Sequence, residues 1–151
     1  MQNFSHLIDK ITVIVDNNLE RDGKLKDICK LLKDNIPHYN WVGFYIAENS
    51  KPELILGPYI GTPTEHTKIP FGKGICGQAA ERKETFVVQD VSKETNYLSC
   101  NINVKSEIVV PIFKDNKIVG ELDIDSHATS PFTKEDKDFL ENICKIISKV
   151  F

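Results

Sequence analysis

The sequence predicts an α+β sandwich, one antiparallel sheet with helices gathered on one of its faces. Three observations predict it. Apolar residues recur at helical spacing near both ends of the chain. The middle reads as short strands joined by tight turns, in hairpins. The order is helix, helix, strands, short helix, strands, helix, with no repeat and no linker, so residues 1–151 are expected to form a single domain.

The first helix is expected over residues 3–17, where Phe4, Leu7, Ile8, Ile11, Ile14 and Val15 share a face. A second, over 23–36, repeats the pattern with Leu25, Ile28, Leu31, Leu32 and Ile36, and Pro37 stops it. Trp41 to Ile46 is aromatic and β-branched, hence a strand. Its period of two puts Trp41, Gly43 and Tyr45 on one face and Val42, Phe44 and Ile46 on the other. Glu53 to Gly57 pairs back, and a short extended piece reaches Ile69. Glycines lead into a short helix from about Ile75 to Arg82. Thr85 to Val88 is a strand, and residues 90–105 are a long polar loop of the kind that usually carries function. Ile108 to Phe113 and Lys117 to Ser126 form a hairpin about the two-residue turn Asp115-Asn116. Thr133 and Asp136 read as a capping box opening a last helix over 134–150.

Composition excludes several classes. Apolar content of 40% and charged content of 27% are ordinary for a soluble domain. The net charge of −3, with lysines scattered among acids, supplies no stripe for nucleic acid. No apolar run approaches the ~20 residues of a membrane helix. The start, Met1 to His6, lacks a signal peptide's layout, so a cytoplasmic location is expected. The four cysteines contain no CxxC, which argues against a zinc cage, and a reducing compartment argues against a disulfide framework. Cys29 and Cys144 border apolar helix faces and read as small hydrophobes. The four histidines, His6, His38, His66 and His127, read as surface residues rather than ligands.

Chemistry concentrates between Cys76 and Asp125. Cys76 sits at a helix N-terminus, which favours a thiolate. Cys100 lies in the long loop. Along the last strand Leu122 and Ile124 alternate with Glu121, Asp123 and Asp125, so the acids face away from the helices, and Glu107 joins them from the neighbouring strand. A solvated strand face is the ordinary fate of such alternation. If the 90–105 loop covers them instead, burial and mutual repulsion raise at least one pKa and leave a proton donor near neutral pH. Either thiol could then be catalytic.

The stretches Asn40 to Tyr45, Leu56 to Tyr59, Ile69 to Gly77, Ser106 to Ile112 and Gly120 to Ser126 together resemble the free methionine-(R)-sulfoxide reductases, stand-alone GAF-domain enzymes. The resemblance runs from about residue 25 onward. It implies a GAF-like sandwich with a mixed, mostly antiparallel six-stranded sheet, helices on one face and a ligand pocket on the other. It implies reduction of free L-methionine-(R)-sulfoxide to methionine, with Cys100 as nucleophile passing through a sulfenic acid and Cys76 as the thiol that closes a redox-active disulfide. Thioredoxin would reduce that disulfide, supplied by NADPH and thioredoxin reductase, as a defence against oxidative stress; no bound cofactor and no metal are implied. By position, Glu107, Asp123 and Asp125 would hold the sulfoxide oxygen and the substrate ammonium. Trp41 and Tyr45 would wall in the S-methyl group. Backbone N–H groups of residues 97–101 would take the carboxylate, and the helical face of residues 3–17 offers a surface for a homodimer, as in similar proteins.

The chain departs from that family in places. His66 stands where members often carry a third cysteine. Residues 97–101 read Tyr-Leu-Ser-Cys-Asn in place of the usual loop, Glu121 replaces an apolar residue, and Ile60 replaces a glutamine. A non-catalytic GAF sensor for an amino acid or nucleotide is the competing reading, weakened by the absence of an effector domain to regulate.

Overall fold

The computed structural model describes residues 4–99 and 101–151. Its helices are α1 (Phe4–Asp16), α2 (Arg21–Asn35), α3 (Gly74–Arg82) and α4 (Lys134–Ile147). Its strands are β1 (Trp41–Glu48), β2 (Glu53–Ile60), β3 (Lys68–Pro70), β4 (Phe86–Val88), β5 (Ser106–Lys114) and β6 (Lys117–Ser126). They form one six-stranded sheet in the order β3-β2-β1-β6-β5-β4. All five pairings are antiparallel, so the antiparallel part of the expectation accounts for the whole sheet. None of the described helices is long and apolar enough to cross a membrane.

Each face of the sheet has its own core. On one, α1 buries Leu7, Ile11 and Val15, α2 buries Leu25, Ile28, Cys29 and Leu32, and α4 buries Phe139, Leu140, Ile143, Cys144 and Ile147. They pack on Val42 and Phe44 of β1, Ile108, Val110 and Ile112 of β5, and Leu122 and Ile124 of β6. Phe4 stacks flat on Phe139, ring centroids 4.2 Å apart. Cys29 and Cys144 are buried as ordinary core thiols. On the other face lie Trp41, Tyr45, Val109 and Ile118, covered by Ile75, Cys76, Ala79 and Ala80 of α3. The sequence placed the helices on one face. Three of the four lie there, and α3, whose buried residues are mostly small, covers the other.

The hairpin turn has the chemistry its residues announced. Asp115 and Asn116 adopt φ of 53° and 64°, the doubly left-handed geometry whose twist matches antiparallel strands. The capping box is also present. Thr133 Oγ1 accepts from the Asp136 N–H at 3.1 Å, and the Thr133 N–H donates back to Asp136 Oδ2 at 2.8 Å. Asp136 Oδ1 further accepts from the buried Tyr39 hydroxyl at 2.7 Å and lies 3.2 Å from His38 Nε2. His38 is therefore half-buried against a carboxylate, not simply a surface residue as its sequence context suggested.

Burial pulls the Asp136 carboxyl up, but hydrogen bonds from His38, Thr133 and Tyr39 outweigh it and hold the pKa at about 2. Between that value and the ordinary 3.8 the unfolded chain binds the extra proton. The stabilisation is thus present above pH ~4 and lost as pH falls toward 2. Asp136→Ala is expected to cost roughly 2–4 kcal/mol in urea unfolding at pH 7, against about 1 for Thr133→Ala. The deficit of the Asp136 variant should shrink in acid.

Candidate active site

The acidic face is fixed by register. β1 and β6 are the two central strands, and Trp41 pairs with Asp125, Gly43 with Asp123 and Tyr45 with Glu121. From the other side Glu107 pairs with Asp125, Val109 with Asp123 and Pro111 with Glu121. Side chains directly paired on neighbouring strands point the same way. Trp41, Tyr45, Glu107, Glu121, Asp123 and Asp125 therefore share one face, as the sequence alternation required. They are not solvated: Glu107, Glu121, Asp123 and Asp125 are all buried.

The helix above them supplies the thiol. The Gly77 carbonyl accepts from the Gly72 N–H at 2.7 Å, seating the first turn of α3 against the end of β3. A Cβ at Gly77 would lie 2.5 Å from the Pro70 carbonyl oxygen, so only glycine permits this approach. It lowers Cys76 onto the sheet, with Sγ 3.8 Å from Glu107 Oε2. The sulfur and one oxygen each of Glu107 and Asp123 all lie within 4.8 Å of one another. Gly43 plays the matching part on the sheet, since any Cβ there would overlap the Trp41 ring and the Tyr59 Cβ.

Charges in this pocket are strongly perturbed. Burial pushes the Cys76 thiol well above its ordinary value, and the neighbouring Asp123, Glu107 and Glu121 push it further. This overturns the expectation of a thiolate at the helix N-terminus. Desolvation and three acids outweigh the dipole of one short helix. Burial likewise raises Glu121, Asp123 and Asp125, and the Asp123 charge adds to the rise for the other two. No ion pair reaches Glu121, Asp123 or Asp125 among the described residues. Glu121 is wholly buried, and Cys76 is near enough to ease its ionisation. Neither Glu121 oxygen, however, has a hydrogen-bond partner of good geometry among the described residues; nor does Asp123 Oδ1.

The structure divides the described site residues between two small voids. One, of about 20 Å³, is lined by Tyr45, Cys76, Glu107 and Asp123 with His66, Lys73 and Leu98. The other, of about 10 Å³, is lined by Trp41 and Asp125 with Asn101 and Val104. Trp41 stacks on Tyr59 at 5.2 Å and donates from Nε1 to the Thr62 carbonyl. Cys100 lies outside the described residues, as does any contact it makes.

Two residues tie the walls together. The Tyr45 hydroxyl donates to the His66 carbonyl, and His66 Nε2 donates to the Ser99 carbonyl, each at 2.9 Å. Asn96 accepts the Gly74 N–H and donates to the Gly72 carbonyl, each at 2.8 Å, pinning the long loop to the start of α3. Sequence reasoning singled out His66 only by resemblance and missed Asn96 and Lys73. An asparagine in a polar loop and a lysine among glycines carry no distinguishing pattern.

With this geometry in view, the comparisons place the chain. Residues 21–151 match the GAF domain family. A free methionine-R-sulfoxide reductase of Saccharomyces cerevisiae is 41% identical over 140 residues, 85% of this chain and 77% of that protein. The reduced form of the corresponding Staphylococcus aureus protein, fRMsr, superposes with a TM-score of 0.91 at 44% identity, covering 99% of this chain and 96% of that one. The chain belongs to the GAF-domain free methionine-R-sulfoxide reductase family. The Neisseria meningitidis member, solved in complex with its substrate, superposes with a TM-score of 0.92 at 34% identity, over 98% of this chain and 87% of that one.

Glu121 carries a local cost, because a wholly buried carboxyl without a good partner is destabilising even when neutral. Glu121→Leu is expected to raise Tm by roughly 2–4 °C per kcal/mol recovered. The native carboxyl stays protonated while the unfolded one ionises above about 4.5, so wild-type stability falls as pH rises. The gain from Glu121→Leu should therefore be larger at pH 8 than at pH 5 in thermal melts.

Proposed function

We propose that the protein reduces free L-methionine-(R)-sulfoxide to methionine. The observation that carries this reading is the convergence of the buried Cys76 sulfur with the buried Glu107 and Asp123 carboxyls at one small void. Family membership supports it. In this reading residues 1–151 act as one GAF unit.

Cys100 attacks the sulfoxide sulfur while a protonated carboxyl of the Glu107, Asp123 and Asp125 group donates to its oxygen. These acids suit the task because burial raises both Asp123 and Asp125 and the charge of one opposes ionisation of the other. The bond between Cys100 and the substrate sulfur and the substrate S–O bond then both break as the protonated oxygen passes to the Cys100 sulfur, so methionine leaves and Cys100 holds a sulfenic acid. Cys76 then gives its proton to Glu107, 3.8 Å away, and displaces hydroxide from Cys100, which departs as water. The resulting disulfide is reduced by thiol exchange with thioredoxin, itself recharged by thioredoxin reductase and NADPH. A reducing, cytoplasmic compartment fits this cycle. The substrate ammonium pairs with whichever carboxylates are ionised, and Trp41 and Tyr45 bound the S-methyl group.

A void of about 20 Å³ holds roughly one water, so the substrate enters only when the walls part. The Leu98 and His66 side is the one built of loop, held by the bond between His66 and Ser99.

A coupled assay with free methionine sulfoxide, thioredoxin, thioredoxin reductase and NADPH tests the function. NADPH oxidation should depend on the R epimer and vanish in Cys100→Ser. Unchanged activity in Cys100→Ser, or a fast reaction in Cys76→Ser with thioredoxin as reductant, defeats the assignment. Mass spectrometry after excess sulfoxide without reductant should show a Cys76–Cys100 bond. His66→Ala should change kcat/KM by up to about tenfold, the worth of one hydrogen bond, with little loss of stability.

A further inference from the structure

We propose that the reduced protein binds one divalent zinc ion in the Cys76, Glu107 and Asp123 cavity, as an inhibitor that excludes the substrate. The three donors come from α3, β5 and β6, so no sequence spacing announces them. One thiol sulfur and two carboxylate oxygens are a set that zinc accepts. Their spacing already approaches a coordination sphere. Tetrahedral zinc with ordinary bond lengths sets sulfur and oxygen about 3.5 Å apart, and Cys76 Sγ stands 3.8 Å from Glu107 Oε2. The full set lies within 4.8 Å, a spread that small side-chain rotations close.

A second observation points to a cation. Asp123 Oδ1, on one of the donors, and both Glu121 oxygens, two positions along β6 on the same sheet face, are buried without hydrogen-bond partners among the described residues. Unsatisfied buried oxygens are costly, and a cation coordinated nearby removes that cost. The void that Cys76, Glu107 and Asp123 line, about 20 Å³, suits one ion or one water and is too small for an amino acid. Of the lysines only Lys73 lines it, and its side chain is exposed. Binding balances simply: zinc forms bonds to the Cys76 sulfur and the two carboxylates, and each protonated donor releases its proton to solvent. Nothing is oxidised or reduced. Only competition with substrate depends on the function proposed above.

The test titrates zinc chloride into fully reduced protein, with stoichiometry read by a competing chromophoric chelator and proton release in weak buffer. One zinc per chain is expected. Cobalt chloride in its place should give a thiolate-to-cobalt charge-transfer band in the near ultraviolet, a readout independent of activity. Cys76→Ser should abolish the band. Cys76→Ser and Asp123→Asn should each weaken zinc by more than the roughly 10–100-fold that changes behind the ligands cost. Cys29→Ser and Cys144→Ser, in the opposite core, should bind as wild type. Thermal melts check that each variant is folded, and cobalt spectra of wild type need no variant at all. Stoichiometry well below one, no charge-transfer band, or binding that survives both Cys76→Ser and Asp123→Asn overturns the site. In the coupled assay zinc should raise the apparent KM for the sulfoxide. Binding without any reductase activity would sink the proposed function and leave the metal site standing; activity insensitive to a bound zinc would overturn its inhibitory role.

Discussion

The fold is arranged around the burial of one polar sheet face. A strand must send alternate side chains to opposite sides, so β6 cannot bury Leu122 and Ile124 without presenting Glu121, Asp123 and Asp125 on the reverse. In a protein with one covered sheet face those acids would be wet. Here α3 and the loop before β5 cover them, and the Cys76 thiol comes down from above. The apolar core beneath α1, α2 and α4 holds the strands in register, and that register fixes which acid lies beside which aromatic ring.

Burial of like-charged groups is unfavourable for an isolated chain and useful for a reaction. Carboxyls that cannot all ionise keep protons at neutral pH, where an ordinary aspartate would have none to give. The same burial makes Cys76 a poor nucleophile until a neighbour takes its proton, which fits the second, resolving role proposed for it. Glu121 belongs to this face but lacks the partners that Asp136, at the head of α4, enjoys. The contrast shows how one residue class serves as a structural anchor when satisfied and as a destabilised group when not.

Much of this was legible from the residues. The alternation at Leu122 to Asp125, the parity of Trp41 and Tyr45, the Asp115-Asn116 turn and the Thr133 cap each follow from short-range geometry, and each is found. The errors share a cause. The Cys76 thiolate followed from its place at a helix start, a local signal, whereas its proton affinity is set by acids from β5 and β6. His38 looked like a surface histidine because nothing near it in sequence reveals Asp136, 98 positions away. Asn96 and Lys73 gave no signal because their roles consist of contacts across the fold.

The sequence by itself determined which side chains share a face, since period two and period 3.6 are properties of the backbone alone. It also determined where the chain turns and where α4 begins, because turn and cap chemistry reach only a few residues. Tertiary structure alone decided that the acidic face is dry, that Cys76 hangs 3.8 Å from Glu107, and that two loops are tied over the cavity through His66 and Ser99. Solvation and proton affinity depend on what long-range packing lays over a group, and no local pattern contains that.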